Sequence, residues 1–167
     1  CKEGKMIILI DFGGQTAHLI SRRIRELGVE CKIVSPEDAL EKIGKEKADG
    51  IIFSGGPASV YEKDSPTIDK KIFALEIPIL GICYGQQLMC HLLDGEVRPG
   101  HKKEYGPAVL SAVKIEDSEL LSGLPQTSNV WMSHGDEVVR EPKGFETYGI
   151  TETIPHAVIE NHGKKIY

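Results

Sequence analysis

The chain has 167 residues, with 20 basic and 25 acidic side chains and a formal charge of −5. That balance supplies no positive field for nucleic acid or an anionic membrane. The apolar runs fall short of the roughly 18 residues a spanning helix needs, and the N-terminal CKEGKMIILID is no signal peptide, since its apolar part ends at Asp11. A single α/β domain with reduced thiols in a cytoplasmic setting is the expectation.

In chain order, residues 6–11 (MIILID) read as a buried strand, followed by the loop FGGQ. Residues 16–27 read as a helix with Ile20, Ile24 and Leu27 on one face and Gly28 as its stop. Residues 30–34 form a second strand. Ser35-Pro36 then has the chemistry to open a helix to about Ile43. A third strand, residues 50–53, runs into the turn-rich SGGPASVY. Residues 67–75 read as helix, 77–82 as a fourth strand, and 85–93 as a helix closed by Asp94-Gly95. This alternation predicts a mostly parallel twisted sheet with helices on both faces, of flavodoxin-like type. Residues 107–115, 130–133, 146–150, 157–160 and 164–167 read as short strands without helices between them, hence antiparallel additions to the same domain. In a parallel sheet the ligand site lies outside the carboxyl ends of the strands. The loops at 12–15, 54–60 and 83–87 meet there.

The four cysteines are Cys1, Cys31, Cys83 and Cys90, and no two have CxxC spacing. Cys31 and Cys90 fall in strand and helix patterns and read as small buried hydrophobes. Cys83 differs. Gly81 and Gly85 bracket it as G-x-C-x-G between a strand and a helix, the spacing of a nucleophile elbow. The helix N-terminus is expected to lower the thiol pKa. The Tyr84 N–H is expected to point at a developing oxyanion, and Gly56 in SGGP is expected to present a second N–H there. The pattern alone does not separate a protease, an amidase and a thioesterase. FGGQ lacks the third glycine of a dinucleotide fingerprint.

DFGGQ, SGGPASVY, GICYGQQLMCHLL and SHGDEV, in this order and spacing, resemble the class I glutamine amidotransferases, most closely the glutaminase domains of GMP synthetases. The resemblance runs over essentially the whole chain. It implies that Cys83 attacks the carboxamide of L-glutamine and forms a glutamyl thioester, with Gly56 and Tyr84 as oxyanion-hole donors. It implies that Gln87, Ser133, His134 and Gly135 contact the amino-acid end of the substrate. Gln86 departs from the methionine or histidine of many relatives. The ammonia would go to an ATP-pyrophosphatase synthetase partner, fused or separate, that aminates XMP to GMP. ATP and magnesium belong to that partner: its phosphate loop is matched here only by Ser54-Gly55-Gly56, and Pro57 breaks the pattern. No cofactor, metal, nucleic acid or membrane is expected for this chain.

The family's base comes from a Cys-His-Glu triad whose His and Glu sit in a His-Pro-Glu segment, and the sequence stops at ENHGKKIY without one. The expectation is a domain truncated just before that segment and poorly active alone. Of the six histidines, His18 and His91 lie in helical patterns, His101 in a charged loop, His156 in a loop after Pro155, and His162 in a turn. His134 lies in the substrate-loop motif. Two other readings stay open: a silent amidotransferase-like module that binds a synthetase, and another cysteine hydrolase on a similar sheet.

Overall fold

The structure is a computed structural model that describes residues 4–167, except the side chains of 101–104 and 134. Cys1 and the side chains read above for His101 and His134 lie outside the described residues. The chain divides into two compact units, Cys1–Leu88 and Met89–Tyr167, with the boundary inside a helix.

The first unit is built on a four-stranded parallel sheet of order β2-β1-β3-β4. Its strands are β1 (Met6–Ile10), β2 (Glu30–Val34), β3 (Gly50–Phe53) and β4 (Ile79–Gly81). Successive side chains on a strand face opposite ways. Thus Leu9 and Cys31 join Ala17 of α1 (Ala17–Glu26) in one apolar cluster, which Ile7, Ile20, Ile24, Ile33 and Ile52 extend. Ile8 and Ile10 turn to the other face and are fully buried. The second helix, α2 (Ala39–Glu46), packs against β1 and buries Ala39 and Ile43.

Three local expectations shift. Leu27 is 82% exposed, because α1 ends at Glu26 and leaves it at the cap, off the apolar face. Pro36 opens a turn, not a helix: Ser35 Oγ accepts from the Asp38 N–H at 3.3 Å, and α2 starts only at Ala39. The helix expected at 67–75 is a short 3-10 turn, η1 (Lys70–Ala74). Asp69 caps it by accepting from the Lys71 N–H at 2.9 Å, and Glu76 at φ +55° ends it.

From β4 the chain enters α3 (Tyr84–Leu92). The second unit carries an antiparallel sheet of order β6-β5-β7-β8. Its members are β5 (Glu96–Ala112), β6 (Thr127–Arg140), β7 (Glu146–Ile150) and β8 (Val158–Glu160). A second 3-10 turn, η2, spans Ile115–Asp117. β5 and β6 are far longer than their apolar runs suggest. The cause is mutual pairing from Glu96–Arg140 to Ser111–Thr127, with irregularities near Pro99. β7 joins β5 only at Ser111 and Ala112. Pro99 and Pro107 therefore lie where β5 has one neighbour, the place a sheet tolerates proline. Residues 164–167 are not a strand. Asn161 and Ile166 exchange backbone hydrogen bonds of 2.8 and 3.1 Å, closing a tight turn through His162-Gly163.

The polar centre of this unit is Glu160, at 1% exposure. Ser118 Oγ donates to one carboxylate oxygen; the Glu119 N–H (2.9 Å) and His162 Nε2 (2.7 Å) meet the other. His162 also stacks on Tyr148 at 5.2 Å. Removing one member of a buried charge cluster strands the rest. Glu160→Ala should therefore lower unfolding free energy by about 3 kcal/mol. Glu146→Gln, which breaks only the exposed pair with Lys114, should cost less than about 1 kcal/mol. Urea midpoints measure both, and equal shifts would refute the role given to Glu160.

Candidate active site

β1, β3 and β4 are neighbours in the sheet, so the loops that leave their carboxyl ends meet at one edge. Glycines set how closely. A Cβ on Gly14 would lie 2.4 Å from the Gly55 carbonyl oxygen, and one on Gly56 would lie 2.6 Å from the Phe12 carbonyl oxygen. A Cβ on Gly85 would lie 2.4 Å from the Phe53 carbonyl oxygen. No side chain fits at such separations, so α3 rests on the end of β3 and the 12–14 loop rests on the 55–56 loop. Gly13 donates to Asp11 Oδ1 at 2.9 Å, which turns the first loop back on itself.

Cys83 stands between β4 and α3 at φ +52°, left-handed backbone that a non-glycine residue adopts at a cost of about 1–2 kcal/mol. Its carbonyl accepts from the Gln87 N–H at 3.1 Å, so it begins the helix. The strained strand-to-helix turn of a nucleophile elbow has this conformation. Gly55 lies alongside: a Cβ built there would be 3.6 Å from Cys83 Cβ. Among the described residues, neither the Gly56 nor the Tyr84 N–H donates to an acceptor. Two main-chain donors thus remain unengaged beside a half-buried thiol.

The thiol differs from its sequence expectation. Burial pushes Cys83 up, and no charged side chain offsets it. Desolvation disfavours the charged thiolate and so opposes ionisation of Cys83. Cys90 is wholly buried and pushed up to about 12 by desolvation and then by Glu141; Cys31 is also buried.

Gln87 is buried and engaged in α3, four residues beyond Cys83. Ser133 and Gly135 lie on β6 of the second unit, with Ser133 exposed. Of the six histidines only His18 belongs to the unit that holds Cys83, and it is exposed on α1. Among the described residues no cluster of three or more His, Cys, Asp or Glu could hold a metal ion, and no helix is long and apolar enough to cross a membrane.

Two contributions escaped the sequence reading. The Tyr84 ring is buried against Phe12 at 5.4 Å between centroids, and its hydroxyl donates to the Pro66 carbonyl. It ties the start of α3 to the long β3–β4 connection. Ser54, at 0% exposure, accepts from the Phe12 N–H at 3.1 Å and donates to the Gly55 carbonyl at 3.0 Å. A small polar residue in a glycine-rich run reads as turn chemistry, and nothing in the run marks it as buried.

Comparison with known proteins follows the same lines. The family described as Glutamine amidotransferase class-I matches residues 8–167. A GMP synthase [glutamine-hydrolyzing] of Aquifex aeolicus is 50% identical over 161 residues, covering 96% of this chain and 31% of that protein. The corresponding protein of Carboxydothermus hydrogenoformans is 49% identical over the same shares. The chain thus spans about a third of the length of these curated relatives. Among solved structures, a candidate GMP synthase subunit from Thermoplasma acidophilum superposes with a TM-score of 0.86 at 30% identity, covering all of this chain and 83% of that one.

Two measurements test the elbow. Glycine suits a left-handed position and alanine does not. Cys83→Gly should therefore be more stable than Cys83→Ala by up to about 1 kcal/mol, the reverse of their order inside a helix. Equal stability, or the ordinary order, would argue against the strained turn. In the free protein, alkylation of Cys83 by iodoacetamide should keep rising with pH past 9, because a raised pKa delays thiolate formation. A plateau below pH 8 would mean that the helix N-terminus outweighs burial.

Proposed function

The chain belongs to the class I glutamine amidotransferases, and on that premise we propose that it is the glutaminase part of a glutamine-hydrolysing GMP synthase. One observation carries the chemistry: a cysteine at φ +52° on an elbow, beside two main-chain N–H groups that find no acceptor among the described residues. A thiol nucleophile with an oxyanion hole suits acyl transfer from a carboxamide. Identity near 50% to glutamine-hydrolysing GMP synthases over 96% of the chain supports glutamine as the acyl donor.

The Cys83 sulfur attacks the carboxamide carbon, and the C=O electron pair moves onto oxygen. The Gly56 and Tyr84 N–H groups hold that oxyanion. Its collapse breaks the C–N bond; the nitrogen leaves as ammonia once protonated, and a glutamyl thioester remains. Water then adds, and glutamate departs with return of the thiol. The sequence transfers no electrons; a thiol, main-chain donors, water and a base that takes the thiol proton and returns it to the leaving nitrogen suffice for it. Because burial raises the thiol, attack by Cys83 calls for a base that takes its proton. Gln87, with Ser133, His134 and Gly135, contacts the substrate's α-amino and α-carboxylate groups. The ammonia passes to an ATP-pyrophosphatase synthetase portion, where ATP and magnesium act and XMP is aminated.

A second reading is a module that binds its synthetase without turnover. The test is made on the full-length protein. A diazo-ketone analogue of glutamine should label Cys83 and spare Cys31 and Cys90. Cys83→Ala should cut ammonia release at least about a thousandfold. An adduct on Cys31 or Cys90 with Cys83 unmodified would overturn the assignment. Labelling at Cys83 with no glutamine turnover in the parent protein would favour the silent module.

A further inference from the structure

The oxyanion donor at Gly56 is only as good as its aim. Its N–H belongs to the Gly55–Gly56 peptide, flanked by glycines that have no side chain to restrain its rotation. The peptide is trans, so its C=O and N–H point in opposite directions. Whatever holds the Gly55 carbonyl therefore sets the direction of the Gly56 N–H.

Ser54 holds it. Its hydroxyl is fully buried and donates to the Gly55 carbonyl at 3.0 Å. The same oxygen accepts from the Phe12 N–H at 3.1 Å, so the hydroxyl is itself held by the end of β1. The 12–14 loop closes around the same unit. Gly14 lies against the Gly55 carbonyl, and Gly56 lies against the Phe12 carbonyl. Gly55 also borders Cys83. The chain from Phe12 through Ser54 to the Gly55–Gly56 peptide thus ends at the nucleophile.

We propose that Ser54 is a positioning residue for the oxyanion hole: its hydroxyl locks the Gly55–Gly56 peptide plane so that the Gly56 N–H faces the carboxamide oxygen beside Cys83. The inference rests on the glutaminase reading for its consequence, but the lock itself is a property of the unliganded chain. Without the hydroxyl the peptide rotates, and one of two donors is present for only part of the time. Ground-state binding of glutamine through its amino-acid end is unaffected. The loss falls on the transition state, which alone carries the oxyanion.

Two measurements test this. The first needs no turnover: amide spectra of the full chain, parent against Ser54→Ala. The Gly56 amide should be sharp and single in the parent and broadened or doubled in the variant, and the Phe12 amide should lose its protection from hydrogen exchange. An unchanged Gly56 signal would overturn the proposal whatever the activity. The second is glutaminase kinetics of the full-length protein. Ser54→Ala should lower kcat roughly tenfold to a hundredfold, with KM within about threefold and iodoacetamide alkylation of Cys83 within about twofold. A kcat within twofold of the parent would overturn it, as would alkylation falling in step with kcat, the mark of a collapsed site. If Ser54→Ala does not fold, Ser54→Cys supplies a weaker donor of similar size. It should shift the same readouts in the same direction, and parental values would count against the lock. Should Gly56 respond to the substitution while the parent hydrolyses no glutamine, the lock stands and the glutaminase reading is what fails.

Discussion

The approach of α3 to the end of β3 governs the geometry around Cys83. At Gly85 the helix backbone comes so close to Phe53 that a Cβ would lie 2.4 Å from its carbonyl oxygen and 2.6 Å from its Cβ. The chain has only Cys83 and Tyr84 between the loop after β4 and that contact. It makes the turn by placing Cys83 in left-handed backbone. Strain at one residue and absence of a side chain two positions later are parts of one solution. Together they raise the thiol at the sheet edge, next to Gly55, with the first N–H of the helix unengaged.

Precision at this edge comes from buried groups outside the reacting atoms. Phe12 lies against Phe53 at 5.8 Å and against Tyr84 at 5.4 Å. One aromatic cluster thus joins the ends of β1 and β3 to the start of α3. Ser54 adds the polar counterpart by linking the Phe12 N–H to the Gly55 carbonyl. The same close fit limits what mutation can isolate. Alanine at Gly56 would place its methyl 2.6 Å from the Phe12 carbonyl oxygen, displacing the backbone that carries the Gly56 N–H. The partly buried setting also raises the thiol, because desolvation disfavours its charged form.

The second unit solves a different problem. Its sheet is antiparallel, and its ends are tied by a buried carboxylate. Glu160 gathers Ser118, the Glu119 N–H and His162, drawing β8 to the η2 turn. Tyr167 donates from its hydroxyl to Glu119, and its pKa is pushed up to about 12 by burial first and by that carboxylate next. Glu119 thus links both: its N–H holds Glu160 of β8, and its carboxylate accepts from the Tyr167 hydroxyl.

What the amino-acid order determined by itself is what depends on spacing over a few residues. The parallel strands, the G-x-C-x-G elbow at 81–85, the SGGP turn and the burial of Cys31 and Cys90 were all legible, because apolar period and glycine position act locally. The four motifs in order were enough to place the chain among the class I glutamine amidotransferases. Tertiary structure decided the rest. The lengths of β5 and β6 came from pairing with each other, which overrode Pro99, Gly100 and the charged run after them. Helix propensity at 67–75 yielded to the Asp69 cap and the left-handed Glu76. The sign of the Cys83 shift was set by burial, which depends on neighbours far along the chain. The Ser54 bridge joins residues 42 positions apart, and a hydrogen bond between such distant residues has no local signature to read.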